Sequence, residues 1–355
     1  MITAIYSILH LLVDGVCAFA MFGKFVGEQG GYEFFLIYNF CAFALQMPFG
    51  AMLDVFAEKS LKKASSFCAF TGVLLTFLGA FTHPAVLGIG NALFHVGGGV
   101  DVIREDHEND WRGQALGIFV APGALGLFIG TQLAKQSGTA LWWIVLGVAC
   151  AVSLPGVSLL YKMIAKKVTY DNCLVKETED WQEAGEWKKG LVSMTMGCFL
   201  VVILRSYVGM AVSFSWKTTL FLSTISILAV VLGKMAGGIL AARLGMNKAI
   251  ILSLILSAVC YSLSEFALFG IAALFFFNMT MPMTLYLLVC KWKTLPGFSF
   301  GLLTFGLFLG FLPVYFGIKI PISGSIIGML GSIVSMLLLI IFCTPKVSKK
   351  GDEGI

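Results

Sequence analysis

Hydrophobic and polar positions along this chain fall into long blocks rather than short periods. Apolar runs occupy roughly 3–23, 32–56, 64–82, 84–101, 113–134, 140–161, 190–212, 217–241, 247–266, 268–290, 297–317 and 321–343. Each is close to the ~20 residues with which a helix crosses the hydrocarbon of a bilayer. Short connectors such as GKFVGEQGG, THP and AKQSGT separate them. Period-two alternation is absent and the runs are too long for barrel strands, so the pattern predicts twelve transmembrane helices. The longest polar stretch, 162–189, divides the chain into six runs (1–161) and six runs (190–355). It reads as a solvated linker with a surface helix around 178–187.

Composition agrees. Hydrophobic residues make up 58% of the chain, charged residues 12%, and the mean hydropathy is +0.92. A soluble globular domain carries about 25% charged residues, so the chain is expected to be an all-α integral membrane protein. Its formal charge of +5 sits in connectors, which argues for membrane topology and against a nucleic-acid partner. Lysine and arginine concentrate in one set of connectors (Lys59, Lys62, Lys63, Arg104, Arg112 and the 162–189 stretch among them). The other set holds only Lys24, Lys135, Lys217 and Lys319. By the positive-inside rule both termini are expected in the cytoplasm and the protein in the cytoplasmic membrane. The N-terminal run lacks a basic leader and a small-residue cleavage site, so it is read as the first helix rather than a signal. Eight of the nine cysteines lie in or beside apolar runs without a CxxC pair, which reads as packing rather than disulfides.

Two halves of six helices invite a search for a repeat. GAMLDVFAEKSLKK (50–63) follows the second run and GGILAARLGMNK (237–248) the eighth. Aligning Gly50 with Gly238 sets Asp54 opposite Ala242. Both segments resemble the loop signature G-x-L-A-D-R-x-G-R-K of the major facilitator superfamily. The first keeps Gly50 and Asp54 but has Val55 for the arginine. The second keeps Gly238 and Arg243 but has Ala242 for the aspartate. The run GIFVAPGALGLFIG (117–130), with Pro122, Gly123 and Gly126, is similar to the fifth-helix motif of proton-driven exporters in that superfamily. HLLVDG (10–15), GIGNALFHVGGG (88–99) and WRGQALGIFVAPGALG (111–126) together resemble its fosmidomycin-resistance branch, with Val96 where that branch has proline. The resemblance implies two pseudo-symmetric six-helix bundles around a central cavity, alternating access by bundle rocking, a gate at the 50–54 and 238–243 loops, and a monomer.

Ionisable side chains at membrane depth are costly and face the bundle interior or water. The candidates are His10 and Asp14 in the first run, His95 in the fourth and Arg205 in the seventh. Lys234 in the eighth lies near enough to the helix end to snorkel. Asn39, Gln46, Asn91 and Asn278 are uncharged companions. His10 and Asp14, four apart, share a helical face. They form either a proton-coupling pair or a structural hydrogen bond to a neighbouring helix. Arg205 keeps its charge and must meet a substrate anion, pair with Asp14, or serve structure alone. His95 either lines the cavity or is a packing histidine. The glycines at 97–99 permit close helix packing or loosen the helix towards a cavity. A metal site is not expected from two scattered histidines and one aspartate, nor is any other cofactor. The connector DVIREDHENDWRG (101–113) reads as a solvated loop.

The expectation is a secondary transporter rather than an enzyme. It exchanges protons for a small anionic or amphipathic compound, most consistently in export. Coupling is assigned to Asp14 and His10, and substrate contact to His95, Arg205, Asn39, Asn91 and Asn278. The alternatives are proton-coupled uptake or uniport of a metabolite, and a membrane sensor that binds without transporting. No G-x4-GK[ST] sequence for nucleotide binding occurs, and the partners expected are substrate, protons and membrane lipid.

Overall fold

The computed structural model describes residues 1–58, 63–136, 139–167, 184–318 and 320–343, and the described residues are helical apart from short turns. Numbered along the chain, the membrane helices are α1 (Ile2–Gly23), α2 (Gly31–Asn39, continuing through Gln46–Glu58), α3 (Ala64–Phe81), α4 (Pro84–Glu108), α5 (Gln114–Lys135) and α6 (Thr139–Lys167). The second half holds α7 (Ala184–Ala211), α8 (Leu220–Leu244), α9 (Met246–Ser262), α10 (Ala267–Asn278 with Thr280–Lys291), α11 (Pro296–Tyr315) and α12 (Gly324–Cys343). Eleven are long and apolar enough to cross a membrane, and α9, at 17 residues, is the shorter twelfth. The order and number match the pattern of apolar runs. The linker expected at 162–189 falls mainly on residues 168–183, outside the described residues.

Local chemistry explains several boundaries. His83 Nδ1 accepts the Ala85 N–H at 3.1 Å and Pro84 opens α4, where its missing N–H costs nothing. Thr219 caps α8 through the Leu222 N–H. Gly245, at φ +85°, alone joins α8 to α9, a left-handed turn that favours glycine.

Inside lipid there is no hydrophobic drive between helices, so close backbone approach is the main source of packing. Gly126 and Gly130 of α5 lie on the backbone of α1 at Leu11 and Gly15. Gly72 of α3 meets Gly90 and Phe94 of α4. The three consecutive glycines of α4, about 100° apart around the helix, face three different neighbours. Gly97 lies on Ser65 and Ala69 of α3, Gly98 on Tyr6 of α1 and Gly99 on Phe300 of α11. They serve close packing within an unbroken helix.

Helices α1–α6 and α7–α12 form two six-helix bundles that meet along two seams, α2 on α11 and α5 on α8. The seams are pseudo-symmetric: Gly50 lies on Gly297, at the start of α11, and Gly238 lies on Gly113, at the start of α5.

Two features depart from the sequence reading. Helix α2 contains one turn of π-helix, Phe40–Ala44, where Cys41 and the Tyr38 carbonyl pack on Gly88 of α4. Helix α4 continues to Glu108, so more than half of the expected solvated loop is helical, and three of its four carboxylates are buried while Glu108 is exposed. Asp101 is 5% exposed, Glu105 8% and Asp106 3%. The reason is a set of waiting donors. Tyr6 donates to Asp101 at 2.6 Å, the Thr3 N–H to Glu105 at 2.7 Å, and the Gly113 and Ala115 N–H groups to Asp106 at 2.8 and 2.9 Å.

Candidate functional site

The centre of the first bundle gathers side chains from α1, α4 and α5. His10 Nε2 lies 3.2 Å from Asp14 Oδ2, and His95 Nε2 lies 3.6 Å from Asp14 Oδ1. The Asn91 amide donates to Asp14 Oδ1 at 2.9 Å. The two histidine Nε2 atoms are 2.8 Å apart. All four residues are buried. Asp14 therefore pairs with histidines and an asparagine; it forms no ion pair with Arg205.

The second ring nitrogens decide the protonation pattern. His10 Nδ1 is 2.7 Å from the Phe119 carbonyl, and His95 Nδ1 is 2.8 Å from the Asn91 carbonyl. A carbonyl only accepts, so both Nδ1 atoms carry hydrogen. In neutral imidazoles both Nε2 atoms would then present lone pairs to each other at hydrogen-bond distance, beside a carboxylate. One added proton between them converts that repulsion into a charge-assisted hydrogen bond, and the imidazolium it creates is balanced by Asp14.

The same three side chains are the one grouping among the described residues whose ligand atoms, within 4.8 Å of one another, could share a metal ion. They are not scattered, as the sequence reading supposed, because α1 and α4 cross where His10 meets His95. Tetrahedral ligands at ~2.0–2.1 Å from zinc lie about 3.3 Å from each other. The 2.8 Å separation is shorter than that and lies in the hydrogen-bond range.

Helix α5 builds the wall of this cluster. Pro122 has no N–H, so the Ile118 carbonyl loses its helical donor, and the Ser7 hydroxyl, which bonds the Thr3 carbonyl at 2.7 Å, also approaches it at 3.2 Å. The next two carbonyls take further side chains: Phe119 takes His10, and Val120 takes Lys234 Nζ of α8 at 3.3 Å. Gly123 faces His10 Nε2 and Asp14 Oδ2 so closely that a Cβ there would collide with both. Of the fifth-helix motif, Pro122 thus frees a carbonyl, Gly123 admits the cluster and Gly126 admits α1.

The remaining candidates separate. Arg205 of α7 is 8% exposed, its Nη1 has no hydrogen-bond partner, and it forms no ion pair with the described residues. The Asn39 amide folds back onto the Phe35 carbonyl and that of Asn278 onto Leu274, each within its own helix. Neither hydrogen-bonds to the cluster. Lys234, read as a snorkelling residue, instead reaches across the α5–α8 seam.

At the loop signature the two halves differ. Asp54 accepts the Gly297 and Phe298 N–H groups at 2.8 and 2.7 Å, capping α11 from the opposite bundle. The equivalent end of α5 is capped by Asp106 of its own bundle. Arg243 is exposed and forms no ion pair with the described residues. At the far end of the α2–α11 seam, Tyr32 and Tyr315 stack at 4.2 Å between centroids. Each donates its hydroxyl to the other's carbonyl at 2.8 Å.

No family model matches the sequence, and no curated protein does. Solved structures do match in three dimensions. The E. coli fucose:proton symporter aligns at 13% identity with a TM-score of 0.58, over 96% of this chain and 98% of the symporter. A bacterial homologue of the iron transporter ferroportin in an outward-facing state aligns at 13% identity and 0.63, over 96% and 99%. The same homologue with soaked iron aligns at 13% and 0.61, over 97% and 100%. At such identity the likeness shows the fold alone, an all-helical arrangement of membrane-length helices shared with those structures.

Proposed function

We propose that this protein is a proton-coupled secondary transporter of a small molecule. It works in the cytoplasmic membrane with both termini inside, by rocking of the 1–161 and 190–355 bundles. The observation that carries the reading is the 2.8 Å approach of His10 Nε2 and His95 Nε2 while both Nδ1 atoms are committed to carbonyls. That arrangement is stable with one proton held beside Asp14 and repulsive without it. His10 and Asp14 act as the coupling pair, as their spacing implies, and His95 joins them. Asn91 orients the carboxylate. Asp54 serves as the gate, since its bonds to the start of α11 must break when the bundles separate at that end.

Export by antiport, of a compound in the anionic or amphipathic class, is supported by the resemblance of α1, α4 and α5 to the fosmidomycin-resistance branch. The test is proton movement in dye-loaded proteoliposomes over a panel of organic acids and amphipathic compounds, with wild type beside Asp14→Asn and His95→Gln. Substrate-dependent proton flux lost in both variants is the expected result. Undiminished coupled flux in both variants would remove the cluster from the mechanism, and substrate movement without protons would make the protein a uniporter.

A further inference from the structure

Two cations lie in the core without an anion to match them. Arg205 rises from the face of α7 that also carries Val201, Val202 and Val208, each fully buried, so its guanidinium points into protein rather than lipid. Its Nη1 is buried and has no partner. Lys234, half-buried on α8, holds one weak bond to the Val120 carbonyl. That carbonyl follows directly on the one that holds His10, so the ammonium sits beside the proton cluster. The charged groups acting on Lys234 are Arg205 and Asp14, and Lys234 in turn acts on His95.

The charge count decides what is missing. Asp14 and the shared proton of the two histidines neutralise each other, which leaves Arg205 and Lys234 uncompensated. A charge withdrawn from water needs both a counter-charge and hydrogen-bond partners, and neither residue forms an ion pair with the described residues. An arginine fork with an open donor matches the planar or trigonal oxygens of a carboxylate or phosphoryl group. A cationic substrate would add to the excess, and a neutral one would leave it.

We propose that Arg205 and Lys234 together form the recognition site for the oxyanionic head of the substrate, a carboxylate or a phosphoryl group, held next to the shared proton. This rests on the transporter reading and narrows it, because Lys234 becomes a specificity residue and amphipathic cations are excluded. It also links the two sites: anion and proton lie side by side and each favours the other's charge, which is the linkage of co-transport and departs from the antiport reading.

The test is direct binding to the full chain in detergent, read as ligand-induced shifts in thermal unfolding. Benzoate, phenylphosphonate, benzamide and benzylamine share one ring and differ in the head group. One or both anions should stabilise the protein, and the two heads compared should distinguish carboxylate from phosphoryl specificity. The amide and the amine should not stabilise it. Lys234→Met and Arg205→Gln should each weaken anion binding by about tenfold or more. Lys234→Met is the safer variant, since that side chain makes a single long bond. Asp14→Asn should still bind the anion, which separates this site from the proton reading. Anions that stabilise no better than benzamide would overturn the proposal. So would anion binding unchanged in the Arg205→Gln/Lys234→Met double variant.

Discussion

Gly123→Ala tests the cluster without altering any titratable group. The added methyl would land on His10 Nε2 and Asp14 Oδ2. His10 cannot swing aside freely, because its Nδ1 is tied at 2.7 Å to Phe119 on the same helix as the new methyl. The ring must therefore shift within its plane of attachment, and the 2.8 Å Nε2–Nε2 contact is the one to lengthen. A hydrogen bond to a charged group is worth about 1.5–3 kcal/mol. At ~1.4 kcal/mol per factor of ten, its loss lowers occupancy of the shared-proton state by about 10- to 150-fold. Replacing glycine by alanine inside a helix returns roughly 0.8–1.0 kcal/mol, so stability should fall only by about 0.5–2 kcal/mol while proton handling falls far more. The assay that needs no substrate is NMR of protein with 15N-labelled histidine, where a proton held between two ring nitrogens gives a strongly deshielded signal. Proton flux in proteoliposomes provides the functional readout. Gly147→Ala, whose Cβ would meet nothing within 4 Å, is the control for helix propensity. A deshielded signal that persists in Gly123→Ala, or is missing from wild type, would refute the shared proton.

Three further perturbations follow from the geometry. Pro122→Ala restores a donor to the Ile118 carbonyl and removes a residue costing about 3 kcal/mol in a helix interior. The variant should melt higher yet transport less, as the turn that holds His10 and Lys234 tightens while Ser7 keeps its bond to the Thr3 carbonyl. Asp54→Ala removes both cap bonds on α11 and should cost about 1–2 kcal/mol, whereas Asp54→Asn keeps an acceptor and should cost about 0.3–1 kcal/mol. Hydrogen exchange of the peptide containing Gly297 and Phe298 should speed up in that order, and equal protection in all three proteins would contradict the cap. The reciprocal Tyr32–Tyr315 bonds lie at an exposed end, so each Tyr→Phe change should cost no more than ~1 kcal/mol. Each hydroxyl bonds a backbone carbonyl and the rings stack in every variant, so a double-mutant cycle on thermal unfolding should return a coupling near zero.

What the sequence revealed and what it hid divide along physical lines. Bilayer thickness imposes a length on every spanning helix, so twelve apolar runs were enough to place twelve helices to within a few residues at most ends. The exception was α4, where charge was taken as the edge of the membrane. Asp101, Glu105 and Asp106 stay buried because their donors come from Thr3, Tyr6 and the start of α5. Those partners are distant in sequence or beyond a turn. His10 and Asp14 could be paired by helical spacing alone. The meeting of His10 with His95 could not, since it depends on where α1 and α4 cross. Asn39 and Asn278 read as substrate contacts from their depth, and in the fold each amide bonds a carbonyl of its own helix, a partner that sequence alone does not single out. The π-helical turn in α2 has no sequence signal that we can identify. Lys234 reads as a snorkel in sequence because the acceptor for its long side chain, the Val120 carbonyl, lies in the opposite bundle.

The placement of these groups constrains how coupling works. His10, Asp14, Asn91, His95 and the Phe119 carbonyl all belong to α1, α4 and α5, so rocking one bundle against the other leaves the proton cluster whole. Among the described residues three sets of hydrogen bonds cross between the bundles: Asp54 with the start of α11, Tyr32 with Tyr315, and Lys234 with Val120. The first two lie at opposite ends of the α2–α11 seam, and opening either end breaks one set and spares the other. Lys234–Val120 lies on the other seam, α5 on α8, one residue along α5 from the carbonyl that holds His10. If proton binding drives rocking, its influence must therefore pass through charge: an added proton repels Lys234, and an anion on Arg205 and Lys234 cancels that repulsion. On this reasoning Lys234→Met should separate the two processes, leaving the deshielded histidine signal in place while abolishing the dependence of substrate movement on the proton gradient. Loss of the signal in Lys234→Met would instead mean that the lysine is part of the proton site itself.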